Sequence, residues 1–335
     1  MRAPGLILAA VLLAACAGVP PSDLPAAAIA PVPLGQRPIR PVVAFGAVWV
    51  ANAADGTVTR VDASTGVVSA TIRVGDPQRL LAAGCAPSSE HAYATGSFGL
   101  RACDSPSAVA ADNDAMWATV NDASAVVRID PARNAITDTV DLGFDPWAVA
   151  AGDGSVWVSD YDHGAVVRVD PRTREVTGRI TVPSGPTEMA IAPGTLWVVN
   201  SAAGMVTRID TRRDAVIATI PVSPWALAIA IWGDDVWVRG GSTRGDGGLA
   251  RIDARTNTVA ATYQAGAPQG REGVASMAAT ANGVWVPGVT LDLVDRLTGA
   301  VVTSRPVSGY AVAADSAWVW VIDVFGQLRR YPAAR

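Results

Sequence analysis

Reactive side chains are scarce in this 335-residue chain, which contains two histidines, three cysteines and no lysine. The lack of lysine excludes a Schiff-base mechanism and a lysine general base. The densest group of potential metal ligands is Asp160, Asp162 and His163 in the segment SDYDHG. Alternating acidic residues before a glycine can wrap a hard cation such as Mg²⁺ or Ca²⁺, but this segment is shorter than an EF-hand loop and lacks its closing glutamate. We favour a solvated turn, with the metal site as the alternative.

The first cysteine, Cys16, ends an apolar run over residues 6–15 that follows Arg2. The run is too short for a permanent membrane span and has the length of a signal-peptide core. Its last residues, LAAC, resemble the bacterial lipobox, and the resemblance implies cleavage before Cys16 and lipid attachment to that residue. We expect residues 1–15 to be a lipoprotein signal peptide and residues 16–35, rich in proline and alanine, to be a lipidated tether. The alternative is an ordinary secretory peptide; both predict export.

The other two cysteines, Cys85 and Cys103, lie in an insertion at about residues 78–105. Because an oxidising compartment favours disulfides, export predicts that these two cysteines pair. A metal site that also uses His91 is the alternative, but the two thiols lack the tight spacing of a zinc motif.

A tryptophan-centred pattern repeats along the chain. It centres on seven residues, four of them 40 positions apart: Trp49, Trp117, Trp157, Trp197, Trp237, Trp285 and Trp320. A period near 40 with short alternating runs is typical of four-stranded propeller blades. In residues 147–186, WAVAAG, SVWVSDY, AVVRVD and EVTGRITV are separated by turn clusters, which predicts four strands and no helix. We therefore predict an all-β, seven-bladed β-propeller over residues 36–335.

Three further expectations follow from this repeat. The last blade has a third strand near the C-terminus but no fourth, so we expect residues 36–40 to complete it and to remove the open sheet edges. The repeated tryptophans are expected to pack between neighbouring sheets. Four aspartates that fall 13 residues after a tryptophan are expected to bond turn amides: Asp62, Asp130, Asp170 and Asp210.

The composition favours one compact disc rather than two domains. Half of the residues are hydrophobic, 17% are charged and the net charge is −4. Since the arginines are spread through the repeats, no basic stripe for nucleic acid is present. We expect a monomer that meets the membrane through its lipid anchor only.

The repeats also carry a family resemblance. ATIPVSP and WVSDYDHGAVVRVDPRTREVTGRITVPSGP resemble the YVTN-type β-propeller repeats of secreted and envelope bacterial proteins, and they are similar to blades of virginiamycin B lyase-like proteins. The resemblance extends over nearly all of the chain after Val42. It implies an extracytoplasmic seven-bladed disc, but propeller blades carry catalysts, binders and scaffolds alike.

Function is expected where the repeat is broken, because a position set only by the fold looks alike in every blade. The two equivalent positions at the start of the first strand carry mostly small residues, whereas four blades carry an aromatic or acidic residue at one of them. We expect these residues and their neighbours to form a ligand-binding surface at the mouth of the central channel: Trp147, Glu188, Trp225, Arg239, Arg271, Glu272 and Tyr310. Alternatively, the aromatic rings cap the channel or pack on adjacent loops.

Two functions remain open at this point. The first is a non-catalytic, lipid-anchored module of the bacterial envelope that binds a protein, peptide or glycan and needs no cofactor. The second is a metal-assisted lyase or lactonase at the channel, with a divalent cation such as Mg²⁺ or Ca²⁺ held by Glu188 with Asp160, Asn121 or Asn200. The resemblance to the lyases implies histidine near the channel, and only His91 and His163 are present. We favour binding and assign no catalytic residue.

Overall fold

The fold is seen in a computed structural model that describes residues 30–76, 79, 105–223, 226–240, 248–265 and 276–333. The described residues form seven sheets of four antiparallel strands each, which confirms the all-β, seven-bladed propeller. Six blades follow one another along the chain, each running from its innermost to its outermost strand. The β-branched residues of the alternating runs supply the faces that pack between blades.

Each blade has an innermost, a second, a third and an outermost strand, in that order. Blades one and two consist of Pro38–Ala44, Ala47–Asn52, Thr57–Asp62 and Val68–Arg73, and of Val109–Ala111, Met116–Val120, Ala125–Asp130 and Ala135–Asp141. Blades three and four consist of Pro146–Gly152, Ser155–Asp160, Ala165–Val169 and Val176–Thr181, and of Pro186–Ala192, Thr195–Asn200, Met205–Asp210 and Ala215–Pro221. Blades five and six consist of Ala226–Trp232, Asp235–Gly240, Gly248–Asp253 and Thr258–Gln264, and of Ala278–Thr280, Gly283–Val286, Leu291–Val294 and Val301–Arg305. Blade seven consists of Gly309–Ala314, Trp318–Asp323, Gln327–Pro332 and Val32–Pro33, and a short 3-10 turn in blade two covers Asn121–Ala123.

An N-terminal strand closes the ring, as predicted, but it is not the predicted segment. Val32 pairs with Leu328 and Pro33 with Gln327, so the outermost strand of blade seven is Val32–Pro33. Residues 38–40 instead begin the innermost strand of blade one, where Pro38 pairs with Asn52. The prediction is wrong because it leaves no room for a connection: residues 142–145 and 182–185 join an outermost strand to the next innermost one, and residues 34–37 do the same between blades seven and one. The propeller therefore includes part of the expected tether.

The repeated tryptophans form the packed interior of the disc. All seven are at most 1% exposed, as expected for rings packed between sheets. The sheet register sets an arginine of the third strand beside most of them, for example Trp49 beside Arg60 and Trp197 beside Arg208. The Arg60 guanidinium lies 5.2 Å from the Trp49 ring centre and the Arg208 guanidinium lies 4.9 Å from that of Trp197, which is cation–π distance.

These arginines also connect neighbouring blades. Nη1 of Arg60 donates to the backbone oxygen of Pro131 and to Oδ1 of Asn134, both at 2.9 Å, and both acceptors belong to blade two. The sequence shows the arginines only as part of the repeat, whereas the structure shows that Arg60 covers a ring and reaches the next blade.

The aspartates of the repeat stabilise the turns between third and outermost strands. Oδ1 of Asp62 accepts hydrogen bonds from the amides of Ser64 and Thr65, and Oδ1 of Asp170 accepts from the amides of Arg172 and Thr173. The side-chain hydrogen bond from Ser64, together with the bonds from Thr65, lowers the pKa of Asp62 to about 2. These contacts agree with the predicted turn role. No helix within the described ranges is long and apolar enough to cross a bilayer.

Candidate binding site at the channel mouth

Among the described strands, the innermost strand begins with a change of register in five blades. In blade one the pairing shifts between Ile39 and Val42, and in blade three it shifts between Pro146 and Val149. A bulge of this kind bends the strand and re-aims the groups around it. Since strand directions alternate in each blade, these starts share one end of the disc with the loops that join second to third strands. We call this end the mouth face.

Arg40 of blade one reaches across the mouth face to three other blades. Its Nη1 donates to the backbone oxygens of Ser107 at 3.0 Å and Trp147 at 3.1 Å, and its Nη2 donates to that of Thr187 at 3.3 Å. These oxygens belong to the starts of blades two, three and four. The Arg40 side chain is only 11% exposed. One guanidinium group therefore bridges the central channel at its mouth.

Glu188 completes the surroundings of this guanidinium. Nε of Arg40 lies 2.8 Å from Oε2 of Glu188, whose side chain is 17% exposed. The pair is close but poorly aligned, and within the described part of the chain no donor makes a well-directed hydrogen bond to Oε2. Burial raises the pKa of Glu188, and the charge of Arg40 and the amide of Met189 oppose that shift only in part. Glu188 thus lies at the mouth, as predicted, and it is already bound to another side chain.

Arg40 is the principal mouth residue that the sequence reasoning missed. It lies one position before Pro41, which aligns with the small residues at the strand starts, and within the segment expected to form the closing strand. Its main partners are backbone oxygens 67, 107 and 147 positions away, and a sequence pattern does not indicate backbone acceptors. The sequence feature that could have indicated Arg40 was the presence of a charged residue directly before one of the aligned strand starts.

Trp147 and Tyr310 lie at the mouth face but are engaged in internal contacts. Trp147 is 8% exposed and stacks on Tyr161 with 4.6 Å between ring centres. The hydroxyl of Tyr310 donates to the backbone oxygen of Pro38 at 2.6 Å and so joins blade seven to blade one. These contacts correspond to the alternative expectation, in which the aromatic rings pack on adjacent strands and loops.

Arg239 is buried between blades five and six. It is 2% exposed, and its Nη1 donates to the backbone oxygen of Ala265 at 2.5 Å. Burial lowers the pKa of Arg239 to about 10, and the nearby carboxylate of Asp292 opposes the shift. Arg239 therefore supports the interface between two blades. The remaining predicted mouth residues, Trp225, Arg271 and Glu272, lie outside the described residues, as do Cys16, Cys85, His91 and Cys103.

The acidic segment of blade three forms a hydrogen-bonded turn. Asp160 is 1% exposed, and its Oδ2 accepts a 2.5 Å contact from Nη2 of Arg179. Nδ1 of His163 lies 2.9 Å from Oδ1 of Asp160, and the imidazole is 66% exposed. Asp162 is exposed and lies between them in sequence. Across the described ranges, no three histidine, cysteine or acidic side chains are grouped as metal ligands.

The amide side chains considered for a cation site also have partners. Oδ1 of Asn121 lies 3.0 Å from the hydroxyl of Ser107, and Nδ2 of Asn200 donates to Oγ1 of Thr207 at 2.8 Å. Both amides are buried. Together with the Asp160–Arg179 and Glu188–Arg40 pairs, these contacts show that each of the four groups considered for a lactonase is already engaged with a protein partner.

An exposed apolar patch lies elsewhere on the mouth face. Phe325 is 81% exposed, Val324 is 38% exposed and Val289 is 46% exposed. The patch spans blades six and seven, and Ser308 joins the loops of these two blades. The Ser308 hydroxyl donates to the backbone oxygen of Val289 at 3.1 Å. The backbone oxygen of Ser308 accepts from the amide of Val324 at 3.2 Å. The sequence reasoning placed the binding surface mainly at the strand starts and so missed this patch, because Phe325 lies in the loop that joins the second and third strands of blade seven.

The comparisons with known proteins establish the fold but do not assign the chain to a family. The sequence matches no protein-family model and no curated protein at a significant level. Among solved structures, it is similar to hydrazine synthase of Kuenenia stuttgartiensis, with 15% identity, a TM-score of 0.69 and coverage of 89% of this chain and 96% of that one. It is also similar to U3-55K, with 11% identity, a TM-score of 0.71 and coverage of 90% and 97%.

A streptogramin B lyase structure is similar as well, with 12% identity, a TM-score of 0.68 and coverage of 90% of this chain and 95% of that one. The resemblance to virginiamycin B lyase-like propellers is therefore confirmed for the fold, whereas the YVTN resemblance stays a prediction. The sequence is only 11 to 15% identical to these three proteins, which have three different names. The structural similarity therefore establishes a shared β-propeller architecture and says nothing about activity.

Proposed function

We propose that this chain is an exported β-propeller, anchored to the envelope by lipid on Cys16, that binds an envelope protein, peptide or glycan without catalysing a reaction. The mouth face is the proposed binding surface. The predicted residues Glu188, Trp147 and Tyr310 provide the rigid centre of this surface, and Phe325, Val324 and Val289 provide accessible apolar contacts at its edge.

The bridge formed by Arg40 is the observation that carries this proposal. It engages the carboxylate of Glu188 and the backbone oxygens of three blades at the channel mouth. A channel-centred catalyst needs polar groups aimed at a reacting molecule, whereas these groups are aimed at one another. A rigid, internally bonded face with an exposed aromatic residue fits recognition better.

The apolar patch fits the accessible part of a binding surface. An aromatic side chain that is 81% exposed costs solvation free energy in the free protein and recovers it when a partner covers the ring. Aromatic residues are also enriched among the residues that dominate interface energetics. The patch adjoins the closing strand, since Phe325 lies two positions before Gln327, the partner of Pro33.

The test is a comparative capture from envelope extract with the full-length protein and two variants. Phe325→Ser removes the exposed ring from the mouth face. Leu297→Ser is the matched control, because Leu297 is 74% exposed in a turn on the opposite end of the disc. We expect wild type and Leu297→Ser to retain a common partner and Phe325→Ser to lose it.

Circular dichroism and the thermal midpoint must show that all three proteins are folded alike. Loss of the partner by both variants, or by neither, would contradict binding through the mouth face. If no protein retains a specific partner, non-catalytic binding fails, and assays for metal-dependent lyase and lactonase activity take its place.

A further inference from the structure

The groups around Arg40 are arranged as they are around a bound guanidinium ligand. Four donor–acceptor contacts reach the group from separate places: three backbone oxygens, one from each of three blades, and the carboxylate of Glu188. A guanidinium presents its donors in a rigid planar fork, whereas an ammonium is a compact point charge. A set of acceptors that meets Nε, Nη1 and Nη2 at the same time therefore selects guanidinium over ammonium.

This set of acceptors is held in place by contacts that do not involve Arg40. The Trp147 backbone oxygen lies 2.8 Å from the hydroxyl of Ser107, which also lies 2.8 Å from the hydroxyl of Thr119. The Trp147 ring is fixed by its stacking on Tyr161. The acceptors of Ser107 and Trp147 are consequently preorganised by blades two and three, and this part of the site persists when its occupant is exchanged.

Arg40 itself is an imperfect occupant of the site. Its backbone has a φ of 47°, in the left-handed region that non-glycine residues adopt at a cost. Its Nε is close to Oε2 of Glu188 but poorly aligned with it, although both groups are largely buried. A guanidinium that is free of this backbone can adopt the better-aligned position.

The surrounding charges favour a cationic ligand. The described mouth-face loops of blades one to three carry more acidic than basic residues: five carboxylates, those of Asp55, Asp76, Asp122, Asp145 and Asp162, and the two arginines Arg37 and Arg79. Carboxylates around a cleft raise the local concentration of cations and speed their association.

We propose that the channel mouth is a guanidinium-binding site that the chain fills with its own Arg40, and that an arginine side chain of a partner peptide competes for the same acceptors. This inference rests on the proposed function, in which the mouth face is the binding surface, and it names the chemistry of the ligand. In the free protein Arg40 keeps the site closed, so binding by wild type requires its displacement.

The test uses full-length Arg40→Gly protein and ethylguanidinium, which replaces the atoms removed from the side chain beyond Cβ. Glycine also accepts the left-handed backbone at position 40, so this variant keeps the strand start without strain. We expect ethylguanidinium at about ten times its Kd to raise the thermal midpoint of Arg40→Gly by about 2 °C. Wild type is expected to bind at least about tenfold more weakly, because its site is occupied.

Two comparisons identify the site and the chemistry. Propylammonium should leave the midpoint of Arg40→Gly unchanged, because it lacks the planar fork. Adding Glu188→Gln to Arg40→Gly should weaken ethylguanidinium binding at least about tenfold, since the only carboxylate in the set is removed. If Arg40→Gly does not fold alone, ethylguanidinium but not propylammonium should restore its circular dichroism spectrum.

Equal responses to the two cations, or no response of folded Arg40→Gly to ethylguanidinium, would overturn the proposal. The same is true if an unfolded variant is not restored. These outcomes are independent of the capture with Phe325→Ser: a partner lost by that variant still supports binding through the mouth face when the guanidinium site fails. Conversely, ethylguanidinium binding without any captured partner would keep the site and remove the proposed function.

Discussion

Several residues that are conspicuous in the sequence are internal in the molecule. Trp147 stacks on Tyr161, Arg239 is 2% exposed and Asp160 is bound to Arg179, although each interrupts the repeat. A break in the repeat is nevertheless informative, because it marks positions where the packing or hydrogen bonding of one blade differs from that of its neighbours. Whether such a residue is accessible depends on partners that are distant in sequence.

The core tryptophans should be the most sensitive residues to truncation. Trp157 is completely buried, so we expect Trp157→Ala to lower the free energy of unfolding by about 3–5 kcal/mol through a core cavity. Trp232→Ala is the control, because Trp232 is 42% exposed, and its effect should stay within about 1 kcal/mol. Urea unfolding of the three proteins gives the comparison. A loss below about 1 kcal/mol for Trp157→Ala would contradict the role of the ring in the core.

Glu188 should make the stability of the protein depend on pH. Its pKa in the folded protein is raised above the ordinary value of 4.5 by burial. A raised carboxyl pKa favours the folded state below the unfolded pKa, and this contribution is lost as the pH rises through the folded pKa. We therefore expect Glu188→Gln to become more stable relative to wild type as the pH rises above about 4.5. Urea midpoints of both proteins from about pH 4 to 8 measure this, and a constant difference would refute it.

At the scale of the elements, the repeat determines what can be predicted. Trp157 and Trp197 have equivalent surroundings in consecutive blades, so their spacing is enough to indicate four strands per unit. The ends of the chain have no such equivalence, and for that reason the pattern places the closing strand too late in the sequence. The sequence indicates where the mouth lies, through Glu188, but it does not indicate how the mouth is hydrogen-bonded. Arg40 binds backbone oxygens there, and backbone oxygens leave no pattern in the sequence.

The closing strand gives a prediction at this scale. Val32 is 6% exposed and pairs with Leu328, so a chain that starts at residue 36 leaves the strand Gln327–Pro332 as an open edge. We expect this truncation to lower the thermal midpoint and to promote self-association relative to a chain that starts at residue 30. Calorimetry and light scattering provide the measurements. Equal midpoints and equal masses for the two chains would show that Val32–Pro33 does not stabilise the ring.

At the scale of the whole molecule, the described residues form a closed ring of seven blades, and the proposed anchor precedes its first strand in the sequence. Residues 34–37 connect the closing strand to blade one, and Arg40 follows after three more positions. The proposed tether, the ring closure and the channel bridge are thus consecutive in the chain. Removal of Cys16 tests the tether without touching the ring.

We expect Cys16→Ser to move the protein from the membrane fraction to the soluble fraction of the bacterial envelope and to abolish incorporation of labelled fatty acid. The thermal midpoint of the purified protein should not change, because the ring begins at Val32. Fractionation, labelling and intact mass measure these outcomes. Membrane association that survives the substitution would contradict a lipid anchor at this residue.

The pairing of Val32 with Leu328 also constrains the order in which the protein is made and folded. The outermost strand of the last blade leaves the ribosome before the other described strands of the propeller, and its partner leaves after them. Blades one to six can assemble as they emerge, but the ring stays open until Leu328 has been synthesised. Such a long-range contact makes the final step slow, and a chain interrupted before residue 328 retains an unpaired edge that quality-control proteases can recognise.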